Sequence, residues 1–301
     1  MDTLPPRLME NAEAVNDRLA VWFADAPVAG EIARPARLMA AIRHGALDGG
    51  KRLRPHLVIE AARLFGAARE TALETACALE AIHCYSLIHD DLPAMDDDDT
   101  RRGRPTVHIA YDEATAILAG DALLTHAFER VAADGGLIAE TRCQLAVLLA
   151  RAAGQGGMIG GQMFDMEAET AAEPLDDAAI RRLQAMKTGA LIAFACEAGA
   201  VIGGADGDAR ERLARFGRTI GLAFQLADDL LDTTADAATM GKATAKDAAA
   251  GKATLVALHG AAAVRAMLAD AVEEAETELA PFGTRADGLM ATARFVVERE
   301  S

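Results

Sequence analysis

The chain has 301 residues, of which 51% are hydrophobic and 4% aromatic, and 30 Lys and Arg against 46 Asp and Glu give a net charge of −16. This length is ample for a large apolar core, and we expect one domain over 1–301 because no Pro- or Ser-rich linker interrupts the chain. The acidic field argues against nucleic acid or an anionic membrane as a general partner. Any anionic ligand therefore needs local basic clusters.

No segment predicts a membrane span or a secretion signal. The longest stretch without a charged residue, 152–164, has 13 positions including five glycines, whereas a span needs roughly 18 to 20 apolar residues. The N-terminus lacks a basic start followed by an apolar run. The cysteines, Cys77, Cys84, Cys143 and Cys196, lie in apolar helical contexts without a CxxC pair, which predicts buried free thiols. We expect a cytoplasmic protein.

Apolar spacing predicts helices along most of the chain. After Pro35, apolar residues recur at helical intervals until Gly49-Gly50 ends the pattern. A second helix begins near Ala72 and leads into an acidic cluster. Further helices are predicted near 112–133, 136–153, 177–203, 208–233, 251–280 and 287–299. Sustained alternation of period two does not occur and β-branched residues are sparse, so the predicted class is all-α.

The first of two aspartate clusters ends an apolar helix. Six of the ten residues from Asp90 to Asp99 are aspartates. Because Pro93 should kink or break the helix, spacing leaves open whether Asp96 or Asp97 lies beside Asp90.

The second cluster, DDLLD, contains Asp228, Asp229 and Asp232. Asp228 and Asp232 share one face of a helix, where like charges four residues apart are destabilising. An acidic run is more often a solvated face. Here both clusters follow apolar helices and precede cations, which favours a ligand instead.

Basic residues accompany both clusters. Arg101, Arg102 and Arg104 follow the first; Lys242, Lys246 and Lys252 follow the second. Oxygen-only carboxylate clusters suit Mg²⁺, which typically takes one or two protein carboxylates and completes its octahedron with water and phosphate oxygens. Guanidinium and ammonium groups would bind the remaining phosphate oxygens. The cluster GGKRLRP, with Lys51, Arg52 and Arg54, is a weak indication alone but would suit a second phosphate site.

The ordered motifs GGKRLRP, SLIHDDLPAMDDDDTRRGRPT, AGDALL, GGQMFDM, MKTGAL and FQLADDLLD resemble the trans-prenyltransferases, or polyprenyl diphosphate synthases, over about residues 20–300. The resemblance implies a helical bundle around a deep central cavity, and a homodimer. It also implies that an allylic diphosphate, bound through magnesium to both aspartate motifs across the cavity, ionises to a cation. Isopentenyl diphosphate then attacks and a proton is lost, which adds five carbons.

The resemblance also implies a role for each matching residue. Metal binding is implied for Asp90, Asp91, Asp96, Asp228, Asp229 and Asp232. Isopentenyl diphosphate binding is implied for Lys51, Arg54, His83 and Arg102, and allylic diphosphate binding for Arg101, Lys187 and Lys242. Thr188 and Gln225 match polar groups near the developing cation. Without this set, His83 alone would be interpreted as a satisfied core histidine.

Product length in this family depends on residues just before the first motif, which here are Tyr85 and Ser86. A helical wheel puts Ser86 about 40° from Asp90 and Tyr85 roughly 140° away, so the role of Tyr85 follows from resemblance alone. An aromatic residue there, with the expanded DDLPAMD motif, resembles bacterial-type farnesyl diphosphate synthases. The expected product is therefore (2E,6E)-farnesyl diphosphate.

Three alternatives stay open. The first is a geranylgeranyl diphosphate synthase. A terpene cyclase needs no second diphosphate site, so GGKRLRP and His83 argue against it. Both complete aspartate motifs argue against a noncatalytic subunit of a heteromeric synthase.

Overall fold

The computed structural model describes residues 5–47, 49–239 and 254–298. Contacts divide the chain into two compact units, an N-terminal unit of residues 6–59 and 67–146 and a C-terminal unit that includes residues 60–66 and the chain from 147 onward. The described secondary structure is almost entirely helical, which confirms the predicted all-α class. The assignment of residues 1–301 to a single domain stays a prediction.

The N-terminal unit is organised around one buried helix. Its helices are α1 (Pro6–Trp22), α2 (Ala36–Ala46), the first part of α3 (Leu53–Leu64), α4 (Arg69–Asp90), α5 (Val107–Ala110), α6 (Glu113–Ala133) and the first part of α7 (Ala139–Ala153). Helices α1, α2 and α6 all pack against α4. Small residues on α4, including Ala72, Ala76 and Ala78, are fully buried, and they let the neighbouring helices approach closely.

A charged trio joins three of these helices. Glu74 on α4 accepts from Arg18 on α1 and, at 2.5 Å, from Nη2 of Arg130 on α6. The guanidinium of Arg130 also lies 4.9 Å from the centre of the Trp22 ring. The two arginines satisfy the charge that Glu74 carries into a buried position.

The chain folds back where α4 ends. The amide of Asp96 donates to the carbonyl of Asp90 at 2.8 Å, and the amide of Asp98 to that of Asp91 at 3.2 Å. Strands β1 (Thr100–Arg101) and β2 (Arg104–Pro105) then form an antiparallel hairpin. Its two turn residues, 102 and 103, have φ of 53° and 74°, and such turns match the twist of the flanking strands.

The C-terminal unit contains the last part of α7 and one long helix, α11, that contacts most of the others. Its further elements are α8 (Met158–Glu169), α9 (Asp177–Gln184), a π-helical turn (Ala185–Gly189), α10 (Ala190–Ile202), α11 (Gly207–Thr239), α12 (Leu255–His259), α13 (Ala261–Leu279), a 3₁₀ segment (Ala280–Ala286) and α14 (Asp287–Glu298). Helix α11 packs against α10, α13 and α14. Its last turns carry the second aspartate cluster.

Glycines hold the π-helical turn against its neighbours. A Cβ on Gly161 of α8 would lie 2.1 Å from the backbone nitrogen of Lys187, and one on Gly221 of α11 would lie 2.8 Å from Cα of Gly189. Neither backbone can yield, so both positions require glycine. The π turn, a conformation often found at functional sites, presents Lys187 and Thr188.

Several predicted helix limits need correction. The helix expected over 251–280 is two helices among the described residues, because Gly260, with φ of 81°, separates α12 from α13. The helix expected from near Ala72 begins at Arg69. Helices α1, α3, α5 and α8 were not predicted, and α8 contains two consecutive glycines.

One helix passes a length and composition test for a membrane span, although no such segment was predicted. The segment Asp177–Ile202 is long and apolar enough to cross a membrane by length and composition, but 56% of its most apolar window is buried, and a core helix passes the same test.

The prediction that all four cysteines are buried is wrong for one of them. Cys143 is exposed, whereas Cys77, Cys84 and Cys196 are buried free thiols as predicted. Burial raises the pKa of Cys84 to about 12, which makes this thiol unreactive.

Candidate active site

Four arginines surround one histidine in the N-terminal unit. His83 lies on α4, with Nε2 3.4 Å from Nη1 of Arg54. Burial lowers the pKa of His83 well below its ordinary value, and the charges of Arg54, Arg102, Arg52 and Arg101 lower it further. His83 is therefore a neutral imidazole at physiological pH, within a region of concentrated positive charge.

Arg52 is the structural member of this group. Its Nη1 lies 2.6 Å from Oε1 of Glu80, and the two side chains are 1% and 3% exposed. It also donates to the carbonyl of Ala46 at 2.7 Å and to Oδ1 of Asn16 at 2.9 Å. Burial lowers the pKa of Arg52, but Glu80 outweighs this and leaves it raised. Arg52 thus anchors the loop on which Lys51 is exposed.

Arg102 lies against the glycine pair of GGKRLRP. Gly49 and Gly50 have φ of 94° and 101°. A Cβ on Gly50 would lie 2.7 Å from Nη1 of Arg102, so this contact requires glycine. Among the described residues, Arg102 has no carboxylate partner. These glycines were predicted only to end a helix; they also make room for the Arg102 guanidinium next to the residue that precedes Lys51.

Asp91 is engaged by the protein itself. It is 3% exposed, and its Oδ1 lies 2.6 Å from Nη2 and 2.7 Å from Nε of Arg101. Burial raises the pKa of Asp91, and Arg101 opposes the rise. Asp90 is half-buried, and the amide of Asp97 donates to Leu92 rather than to Asp90. In the fold-back, the backbone of Asp96 is therefore hydrogen-bonded to that of Asp90, and the backbone of Asp97 to that of Leu92.

A hydrogen-bonded chain connects three elements of the C-terminal unit. The hydroxyl of Thr188 donates to Oε1 of Gln225 at 3.1 Å, and Nε2 of Gln225 donates to Oδ1 of Asp229 at 2.9 Å. Nε2 of Gln184 donates to Oδ2 of Asp229 at 3.0 Å. Asp229 thus fixes the orientation of the Gln225 amide and directs its carbonyl oxygen toward Thr188.

Lys187 pairs with an aspartate that was not predicted as a site residue. Its Nζ lies 2.5 Å from Oδ2 of Asp165, with side chains 27% and 36% exposed. Both amide atoms of Gln162, one turn earlier on α8, are buried without a hydrogen bond among the described residues. The motif GGQMFDM could have pointed to both residues, but no sequence periodicity links them to Lys187.

The remaining predicted residues are only partly described. Asp228 is half-buried on α11. Asp232 lies on the same helix, and its side chain and the whole of Lys242 lie outside the described residues. Over the described ranges, no group of three or more His, Cys, Asp or Glu side chains is arranged to hold a metal ion.

Comparison with known proteins decides the family. A family model described as Polyprenyl synthetase matches residues 35–280. The chain belongs to the polyprenyl synthetase family. This confirms the resemblance predicted from the motif order.

Relatives of this polyprenyl synthetase are named for products of different lengths. It is 41% identical to the farnesyl diphosphate synthase of Escherichia coli K12 over 98% of each chain. It is 39% identical to a chloroplastic geranylgeranyl pyrophosphate synthase of Catharanthus roseus, over 90% of this chain and 76% of that one. A crystal structure of an FPP/GFPP synthase from Zymomonas mobilis superposes with a TM-score of 0.84 at 44% identity, covering 96% of this chain and 98% of that one.

In this polyprenyl synthetase, the two residues expected to control product length differ in their surroundings. Tyr85 is 5% exposed, and burial and the charge of Asp90 raise the pKa of Tyr85 to about 12. Its ring centre lies 5.7 Å from that of His89 in an edge-to-face arrangement. Ser86 is half-buried, and its hydroxyl donates to the carbonyl of His83 at 2.9 Å.

Proposed function

We propose that this enzyme condenses isopentenyl diphosphate head to tail with dimethylallyl and then geranyl diphosphate, giving (2E,6E)-farnesyl diphosphate in a magnesium-dependent reaction. The allylic carbon–oxygen bond breaks to leave an allylic cation and diphosphate. The double bond of isopentenyl diphosphate attacks that cation, and loss of a proton completes the product.

The concentration of positive charge around His83 carries this proposal. An acidic protein brings four guanidinium groups to one neutral imidazole, although such a cluster is unfavourable without an anion nearby. Two of these arginines pair with a buried carboxylate, Arg52 with Glu80 and Arg101 with Asp91. We assign Lys51, Arg54, His83 and Arg102 to the diphosphate of isopentenyl diphosphate. A terpene cyclase has no use for this second site.

We assign the allylic diphosphate to Arg101, Lys187 and Lys242. The oxygen of Gln225 and the hydroxyl of Thr188 would stabilise the developing cation, because Asp229 holds the Gln225 amide in a fixed orientation. Asp91 and Asp229 already accept hydrogen bonds from the protein. We assign the metal contacts to the two aspartate clusters, through Asp90, Asp91, Asp96, Asp228, Asp229 and Asp232.

The donor set fits magnesium. Both aspartate clusters offer carboxylate oxygens only, and Mg²⁺ usually takes few protein ligands and completes its shell with water and substrate phosphates. A closed cage of protein ligands is therefore not required. When bound, magnesium would neutralise the charge that develops on the departing diphosphate.

We assign the fifteen-carbon product to the bulk of Tyr85. A buried aromatic ring can limit the space for the growing chain, since displacing a well-packed side chain costs about 1 to 3 kcal/mol and about 1.4 kcal/mol is tenfold in rate. Geranylgeranyl diphosphate is the second candidate, and the Catharanthus roseus relative supports it.

We also propose a cytoplasmic homodimer. Ile117 and Leu118 on α6 are 44% and 57% exposed, and adjacent exposed apolar residues favour an interface. Light scattering of the parent and of Leu118→Glu tests this: a dimeric parent and a monomeric variant are expected. A monomeric parent would remove the dimer from the proposal.

Product analysis tests the reaction. Purified protein, magnesium, isopentenyl diphosphate and labelled dimethylallyl diphosphate should yield mainly fifteen-carbon product. Asp90→Asn and Asp228→Asn should each lower turnover by orders of magnitude while remaining folded. Mainly twenty-carbon product would establish the second candidate, and absence of product from the parent would refute the proposed reaction.

A further inference from the structure

The contact between α4 and α6 depends on one glycine. Nε2 of His89 lies 3.1 Å from the carbonyl oxygen of Ile117, and this nitrogen must carry the proton because a carbonyl only accepts. The imidazole occupies the space that a side chain at position 120 would fill. A Cβ on Gly120 would lie 2.1 Å from Nε2, 2.5 Å from Cδ2 and 2.8 Å from Cε1 of His89. Gly120 thus leaves a notch in α6 that seats the ring.

His89 in turn contacts Tyr85. The two residues are four apart on α4 and so share a face, and their rings meet edge to face with centres 5.7 Å apart. The Tyr85 hydroxyl is buried and has no hydrogen-bond partner among the described residues. Packing alone therefore orients the Tyr85 ring, and His89 is the neighbour held in place by both a hydrogen bond and a notch.

We propose that His89 and Gly120 are positioning residues for product length: Gly120 seats the His89 ring, and that ring holds the Tyr85 ring in the orientation that stops chain growth. This inference rests on the proposed function, since it presupposes that Tyr85 limits the product. It makes product length a property of the contact between α4 and α6 rather than of residue 85 alone.

Substitutions at the two positions should act through the same ring. His89→Ala removes the support and opens space into which Tyr85 can turn. Gly120→Ala should displace the imidazole rather than the helices, because the three nearest atoms all belong to the end of the His89 side chain. Alanine also favours the helix at position 120, which offsets part of the disturbance. In a His89→Ala background, the added methyl group no longer meets the ring.

The experiment measures the ratio of twenty- to fifteen-carbon product for the parent and for Tyr85→Ala, Tyr85→Phe, His89→Ala, Gly120→Ala and the double variant of His89 and Gly120. Circular dichroism and thermal unfolding confirm folding. We expect His89→Ala to raise the ratio by about tenfold and Gly120→Ala to raise it less. Gly120→Ala should add nothing in the His89→Ala background, and Tyr85→Phe, which retains the ring, should keep the parental profile.

The outcomes separate this inference from the proposed function. If Tyr85→Ala lengthens the product but His89→Ala and Gly120→Ala do not, the positioning role is wrong and the function of Tyr85 stands. Independent, additive effects of the two substitutions would also overturn it. If Tyr85→Ala leaves the product profile unchanged, both the positioning role of His89 and Gly120 and the limit that Tyr85 is proposed to set on product length are wrong. Should His89→Ala not fold, His89→Gln replaces it, because glutamine can still donate to Ile117 but offers no ring.

Discussion

Replacing Arg52 by alanine would leave Glu80 buried without its counter-charge. Arg52 makes three polar contacts at once, to Glu80 at 2.6 Å, to the carbonyl of Ala46 at 2.7 Å and to Asn16 at 2.9 Å. These partners lie on α4, at the end of α2 and on α1. One side chain therefore ties three helices to the loop that carries Lys51.

The expected loss of stability follows from burial. With exposed fractions of 1% and 3%, neither charge is screened by water, and removing one partner of such a pair typically costs about 3 to 5 kcal/mol. The matched control is the pair of Arg294 with Glu276, at 3.0 Å with side chains 56% and 51% exposed. Exposed pairs contribute at most about 1 kcal/mol. The loss in the free energy of unfolding should therefore be severalfold larger for Arg52→Ala than for Arg294→Ala.

Urea unfolding followed by circular dichroism measures this difference. The protein concentration must be the same for all variants, since association shifts apparent stability. Arg52→Lys should be intermediate, because a lysine keeps the charge but lacks the planar fork that reaches several acceptors. We also expect Arg52→Ala to raise the Michaelis constant for isopentenyl diphosphate. A loss of stability as small as that of Arg294→Ala would refute the reasoning.

Three other predictions concern the substrate site, the π-helical turn and pH. Lys51→Ala and Arg54→Ala should raise the Michaelis constant for isopentenyl diphosphate more than that for the allylic substrate; steady-state kinetics showing the reverse would mean that the two sites are exchanged. Gly161→Ala should lower melting temperature and turnover, since its Cβ would meet backbone at 2.1 Å, whereas Gly207→Ala, with nothing within 4 Å, should do neither; equal melting temperatures would contradict the close approach. Burial lowers the pKa of His56 from 6.5 to about 4. As the pH falls, the unfolded chain therefore binds this proton before the folded protein does. The stability that depends on neutral His56, about 3 kcal/mol, is fully present above pH 6.5 and should be lost as the pH falls toward 4. Urea unfolding across this range should show a flatter pH dependence for His56→Gln, and an unchanged slope would exclude His56 as the cause.

Local sequence patterns predicted some helices and missed others for identifiable reasons. Helix α6, Glu113–Ala133, has an apolar face and a polar face, so its spacing was visible and its predicted limits were nearly correct. Helix α3 is buried on almost every face, and a helix without a polar side lacks the amphipathic pattern. Helix α8 contains Gly160 and Gly161, which are poor helix formers. There, close packing against the π-helical turn outweighs local preference.

The aspartate motifs, their basic neighbours and the absence of strand patterns were sufficient to predict the all-α class and the family, because these depend on residue type, order and local spacing. The roles of neighbouring residues depend on packing. Sequence could not separate buried Arg52 from exposed Lys51, or show that Asp91 and Asp229 are already hydrogen-bonded by protein groups. Lys187 meets Asp165 from 22 residues away, and His89 meets Ile117 from 28. Such contacts depend on how each helix is rotated and how closely its neighbours approach, and only the tertiary structure determines both.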